Sequence, residues 1–144
     1  MQGIKAIGHV AIRVKDVERT LDFYVNKLEL PEMMRLHHPD GSLFLIYLRI
    51  TDEQYLEIFP DAAEERAPPR EANGINHLCL EVDNIDRVVD ELGKRGVPLA
   101  REKKLGLDRN LQAWIEDPDG NRIELMQMAG DGMQSEAIAR LRAS

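Results

Sequence analysis

The chain carries one unit twice, and this duplication limits its possible folds more than any other feature of the sequence. In GHVAIRVKD, residues 8–16, Val10, Ile12 and Val14 alternate with His9, Ala11 and Arg13. That is the period of a β-strand with two unlike faces. In NHLCLEVDN, residues 76–84, Leu78, Leu80 and Val82 alternate in the same way with His77, Cys79 and Glu81. A histidine opens the polar face both times.

The segments after these strands repeat as well. A first strand over residues 4–14 leads into DVERTLDFYVNKLEL, where Asp16 is a candidate N-cap and Glu18 lies in the first turn. Val17, Leu21, Val25 and Leu28 predict an apolar stripe at helical spacing. In the second copy, INHLCLEV reads as the strand and Asn84 caps a helix with Ile85, Val88, Val89 and Leu92 on its apolar side. Lys94 and Arg95 sit in its last turn, and Gly96 is placed as the stop. Three strands come next in each copy. In the first they are residues 32–38, LFLIYLRI and QYLEIFP, with turns at Pro39-Asp40-Gly41 and residues 51–53. In the second they are VPLAREKK, LQAWIEDP and NRIELMQM, the last two joined through Asp119-Gly120.

The order β-α-β-β-β, found twice, predicts an α+β fold of two tandem modules. Residues 1–144 are expected to form a single domain: module one at 4–60, a linker at 61–73, module two at 74–128 and a tail at 129–144. The linker, DAAEERAPPREAN, is polar and contains two prolines. In the tail, Gly130 and Gly132 are breakers before a short helix that Ser135 could cap. One helix covers one face of each small sheet, so the other face must curl around something or meet a partner.

The net charge of −7 argues against nucleic acid or an anionic membrane as partner. Cys79 is the single cysteine and can form no internal disulfide, which suits a reducing, cytoplasmic setting. The N-terminal stretch enters a strand pattern at once, so no signal peptide is expected, and no apolar run has the length of a membrane span.

The last strand of each copy holds one further polar residue at a matching place. Glu57 lies 48 residues after His9 (9 to 57), and Glu124 lies 47 after His77 (77 to 124). A lone histidine on a strand is ordinarily a hydrogen-bonded core or surface residue, and a lone glutamate is ordinarily solvated or paired. Two of each, matched across a duplication, can converge on one point by pseudo-twofold symmetry. Uncompensated carboxylates in a half-buried strand are costly, and a divalent cation removes that cost. Two imidazoles with two carboxylates suit a first-row ion such as Zn, Ni, Co, Mn or Fe, and not calcium. Four protein ligands in an octahedron leave two positions for substrate oxygens or water.

The βαβββ repeat, with IGHVAIRVKDVERTLDFYVNKLEL at its opening and EDPDGNRIEL near its close, resembles the vicinal oxygen chelate superfamily over residues 4–128. The set His9, Glu57, His77 and Glu124 looks most like that of the glyoxalase I (lactoylglutathione lyase) family. The resemblance implies a cup-shaped, eight-stranded mixed sheet, one divalent metal ion and a homodimer in which a site can combine modules of two chains. It implies isomerisation of a 2-oxoaldehyde–thiol hemithioacetal to a 2-hydroxyacyl thioester through an enediolate. Glu124 is then the first choice for the proton-carrying carboxylate, with Glu57 symmetric to it. Arg13, four residues after His9 on the same strand face, matches an arginine that grips the thiol's carboxylate. Asp61 departs from the pattern, standing where glyoxalases often carry asparagine, and leaves the thiol open.

The same resemblance allows other readings: an epimerase, an extradiol dioxygenase, or a non-catalytic small-molecule-binding resistance protein. The epimerase usually has glutamine where Glu57 stands, dioxygenases use three ligands, and resistance proteins generally lack the metal set. Glu57 discriminates among them. His37 and His38 have no counterpart in the second copy and read as a solvated pair. Trp114, Met126 and Met128 read as lining of the pocket or core.

Overall fold

In the computed structural model, which describes residues 3–143, the alternating stretch around His9 forms strand β1 over His9–Arg13, shorter than the expected 4–14. Its edges are set by pairing: β1 runs parallel to β4, Tyr55–Phe59, and ends where β4 ends. Strands β2, Glu32–His37, and β3, Leu43–Arg49, form a hairpin, and β3 pairs antiparallel with β4. The order across the sheet is β1-β4-β3-β2. The hairpin closes through Gly41 at φ +86°, a backbone region glycine adopts without penalty, while the Asp40 carboxylate accepts from the Ser42 N–H at 2.9 Å.

The second sheet repeats this plan with β5, Leu78–Glu81; β6, Arg101–Leu105; β7, Leu111–Glu116; and β8, Arg122–Gln127, in the order β5-β8-β7-β6. Strand β5 again runs parallel to β8, and the other pairs are antiparallel. The eight strands and the α+β class agree with the duplicated pattern. They lie in two four-stranded sheets, one in each of two compact units, Met1–Ala67 and Pro68–Ser144.

Alternation places the core on one face of each sheet. In the first unit, Ile46, Leu48, Leu56 and Ile58 are fully buried, and in the second Ala113, Ile115 and Ile123 are. Each buried Leu or Ile contributes roughly 1.5–3 kcal/mol. Residues 47 and 57, and likewise 114 and 124, point to the opposite face by the two-residue period.

The helices are fixed by their caps. Helix α1, Val17–Leu21, begins where the Asp16 carboxylate accepts the Arg19 N–H at 3.0 Å. It does not continue as the expected α-helix. Residues Asp22–Lys27 are π-helical, closed by a bond from Leu28 N–H to the Phe23 carbonyl. The wider turn rotates the buried face, so Thr20, Leu21, Phe23 and Tyr24 are buried, while Val17, Val25 and Leu28 are only partly so. Helix α2, Ile85–Lys94, keeps to its pattern: Asn84 accepts the Arg87 N–H at 2.9 Å, Ile85 and Leu92 are buried, and Gly96 stops it at φ +74°.

The tail helix α3, Met133–Ala143, starts before Ser135, which corrects the expected cap. The Ser135 hydroxyl donates instead to the Ala129 carbonyl at 2.7 Å. The helix is held to the β6–β7 turn by Met133 N–H to Asp108 O at 2.9 Å and by the Arg109–Glu136 ion pair at 2.7 Å. Among the described residues, no helix is long and apolar enough to cross a membrane.

Candidate metal centre

Each unit assembles one imidazole–carboxylate pair on the sheet face away from its core. In the first, His9 opens β1 and Glu57 lies mid-strand in the adjacent β4, opposite Ala11 on one side and Tyr47 of β3 on the other. His9 Nδ1 stands 3.7 Å from Glu57 Oε1; the His9 side chain is half exposed and that of Glu57 is 8% exposed. Tyr47 faces Glu57 across the β3–β4 register, and its interaction with that carboxylate raises the phenol pKa above its ordinary value. The Tyr47 ring meets Tyr55 edge-on at 6.5 Å, and the Tyr55 hydroxyl donates to the Asp52 carbonyl.

In the second unit, Glu124 of β8 lies opposite Cys79 of β5 and Trp114 of β7. His77 is the residue before β5, and its Nε2 is 3.1 Å from Glu124 Oε2. Its other nitrogen, Nδ1, is 3.0 Å from Asn76 Oδ1. Asn76 donates its Nδ2 to the Arg70 carbonyl at 3.0 Å, so its oxygen is the atom left to accept from His77. Hydrogen-bonded partners on both ring nitrogens fix the orientation of the imidazole, with Nδ1 toward Asn76 and Nε2 toward Glu124. Trp114 packs edge-on against the ring at 4.7 Å.

Cys79 reaches solvent as a residue, yet its thiol is enclosed enough that desolvation, and then the Glu124 carboxylate, push its pKa up to about 12. It stays a neutral thiol near pH 7.

Two ligands of one ion at about 2.1 Å and a right angle stand about 3 Å apart. The His77–Glu124 span of 3.1 Å meets that requirement, and the His9–Glu57 pair reaches it with a closure of under about 1 Å. The donor chemistry, one imidazole and one carboxylate per unit, fits a divalent transition ion. Among the described residues, no group of three or more His, Cys, Asp or Glu side chains is placed to hold a metal ion, so each unit offers a pair.

Arg13 lies opposite Phe59 in the β1–β4 register, with its guanidinium 5.3 Å from the ring centre and one N–H donating to the Pro60 carbonyl at 2.7 Å. Asp61, the next residue after Pro60, holds φ at +61°. The His38 ring meets Phe44 at a tilt, 4.9 Å between centres, and the structure shows no carboxylate hydrogen-bonded to His37 or His38 among the described residues. In the second unit a shallow cleft is lined by Arg70, Asn76, Arg101, Trp114, Glu116 and Arg122. Arg122 bonds the Asn76 carbonyl at 2.6 and 3.0 Å, and Arg101 stands 5.6 Å over Trp114.

Sequence reasoning missed Tyr47 and Asn76. A tyrosine inside LFLIYLRI reads as one more strand residue, and only its register against Glu57 reveals it. Asn76 precedes His77 directly, but Gly8 precedes His9, so the duplication gives no warning of it.

The model of the Glyoxalase/Bleomycin resistance protein/Dioxygenase superfamily matches residues 6–125. The chain is 31% identical over 123 residues to a lactoylglutathione lyase of Neisseria meningitidis, covering 83% of this chain and 88% of that protein. Its structure is similar to that of a glyoxalase family protein from Enterococcus faecalis, at 28% identity and a TM-score of 0.75, covering 85% of this chain and 98% of that one. It is also similar to the trypanothione-dependent glyoxalase I of Leishmania major, at 26% identity and a TM-score of 0.72, covering 97% of each.

Proposed function

Since the chain belongs to the Glyoxalase/Bleomycin resistance protein/Dioxygenase superfamily, we propose that it is a metal-dependent glyoxalase I-like isomerase acting on a 2-oxoaldehyde–thiol hemithioacetal. The observation that carries this reading is the matched pair, His9–Glu57 at 3.7 Å and His77–Glu124 at 3.1 Å, one in each repeat. In this proposal residues 1–144 act as one functional domain, and His9, Glu57, His77 and Glu124 together hold one divalent ion. A homodimer is the proposed assembly and the cytoplasm the proposed location.

When bound, such an ion supplies Lewis acidity to the oxygens of the developing enediolate. The protein's own part is proton transfer and positioning. Glu124 takes the proton from the hemithioacetal carbon and returns it to the neighbouring carbon, so atoms and charge balance over the reaction. Asn76 holds the His77 ring in the orientation that presents Nε2. Arg13 is suited to bind a carboxylate of the thiol, since its bond to Pro60 uses only one of five N–H donors. Within the second unit, the guanidinium groups around Trp114 suit an anionic group of a small molecule.

The test is to supply purified, metal-loaded protein with methylglyoxal hemithioacetals of several cellular thiols and follow thioester formation. Turnover of at least one supports the assignment, and turnover of none contradicts it.

A further inference from the structure

The face of the second sheet that carries Glu124 changes character along its length. Arg122, Glu124 and Met126 follow one another on that face of β8, and Met126 lies opposite Gln112 of β7. One end thus holds the guanidinium groups of Arg70, Arg101 and Arg122. The other holds a thioether, an amide and, beyond them, the carboxylate of Asp108, which bonds the side chain of Asn110 at 2.8 Å.

That second end is covered. The two-residue period of β7, continued back from Trp114 and Gln112, brings Asn110 to the same face, yet Asn110 is fully buried. The tail covers it. Asn110 Oδ1 accepts the Ala129 N–H at 2.9 Å, and Nδ2 donates to Gln134 Oε1 of α3 at 3.2 Å and lies 3.6 Å from Met126 Sδ. Gly132 packs so closely that a Cβ there would stand 2.8 Å from Asn110 Oδ1. In the first unit the matching hairpin end, residues 37–42, is exposed. The duplicated face is open at that end in one unit and closed by the tail in the other.

We infer that the tail is the end wall of this face and limits the length of the aldehyde side chain the protein accepts. This rests on the hemithioacetal reading above and deepens it by naming the class of aldehyde. An anionic thiol is drawn to the arginine end, so the uncharged aldehyde substituent runs from Glu124 toward Met126. Two residues of strand span about 7 Å, and a longer substituent meets the latch between Asn110 and the tail. The latch does not yield easily, since opening it in the dry interior leaves the Asn110 amide and the Ala129 N–H unpaired.

The experiment measures kcat/KM for hemithioacetals of one thiol with methylglyoxal and with hexylglyoxal, in wild type, Gly132→Ala and Asn110→Ala. Gly132 holds no positive φ, so alanine fits its backbone and the added methyl acts only as a wedge under the tail. Far-UV circular dichroism checks folding, and hydrogen exchange of the Ala129 and Met133 amides reports whether the tail has loosened. Wild type should prefer methylglyoxal by roughly 10-fold or more, the scale on which a pocket rejects a group too long for it. In both variants the two amides should exchange faster and the preference should shrink to about 3-fold or less. Should Asn110→Ala fail to fold, Gly132→Ala decides alone. Wild type equally fast or faster with hexylglyoxal overturns the inference and leaves the glyoxalase reading intact, as does a wild-type preference kept in the folded variants. Wild type that turns over neither substrate overturns both.

Discussion

At the scale of single residues, two glutamates with matching places in the repeat differ in their surroundings. Glu57 is nearly closed off from solvent, 3.7 Å from His9 and across the register from Tyr47, while Glu124 lies 3.1 Å from an imidazole whose other nitrogen meets Asn76. Changing each to glutamine should therefore give different losses. Glu124→Gln keeps an amide oxygen that can still coordinate and removes the base, so kcat at saturating metal should fall by roughly 100-fold or more. Glu57→Gln should show first as weaker metal binding, with much of the turnover recovered when metal is raised. Steady-state kinetics over a metal titration separates the two. A Glu124→Gln enzyme as fast as wild type would make Glu57 the better candidate base.

At the scale of elements, local chemistry decides what is legible in the sequence. The starts of α1 and α2 are legible because an N-cap is a short-range event: Asp16 and Asn84 each accept the N–H three residues on. Asp16→Ala and Asn84→Ala should each cost about 1 kcal/mol, seen as a lower urea midpoint with an unchanged slope. A midpoint equal to wild type would show that the caps contribute nothing. The π-helical stretch after α1 is not legible, since its apolar residues fit an α-stripe equally well, although it is Phe23 and Tyr24 that the wider turn buries. Strand ends are hidden for a related reason: the alternation runs past His9 toward residue 4, but pairing with β4 stops it. The His/Glu pairs are legible through the duplication. Tyr47 is not, because cross-strand register is set by β3–β4 pairing and not by any local pattern.

At the scale of the whole molecule, duplication explains the fold and the imidazole–carboxylate pair of each unit. Two βαβββ units, each with its core on one sheet face, each leave an imidazole and a carboxylate on the other. One pair alone is a weak metal site, and two pairs on one ion supply the N₂O₂ set that transition metals favour. The central claim of the proposed function is that the four residues share a single ion. Metal content per chain, measured by mass spectrometry after chelation, refilling and desalting, tests it in wild type, His9→Ala and His77→Ala. One ion per wild-type chain, lost to a comparable degree in both variants, is the expected result. Two ions per chain with one retained in each variant, or equal content in all three proteins, would contradict the account.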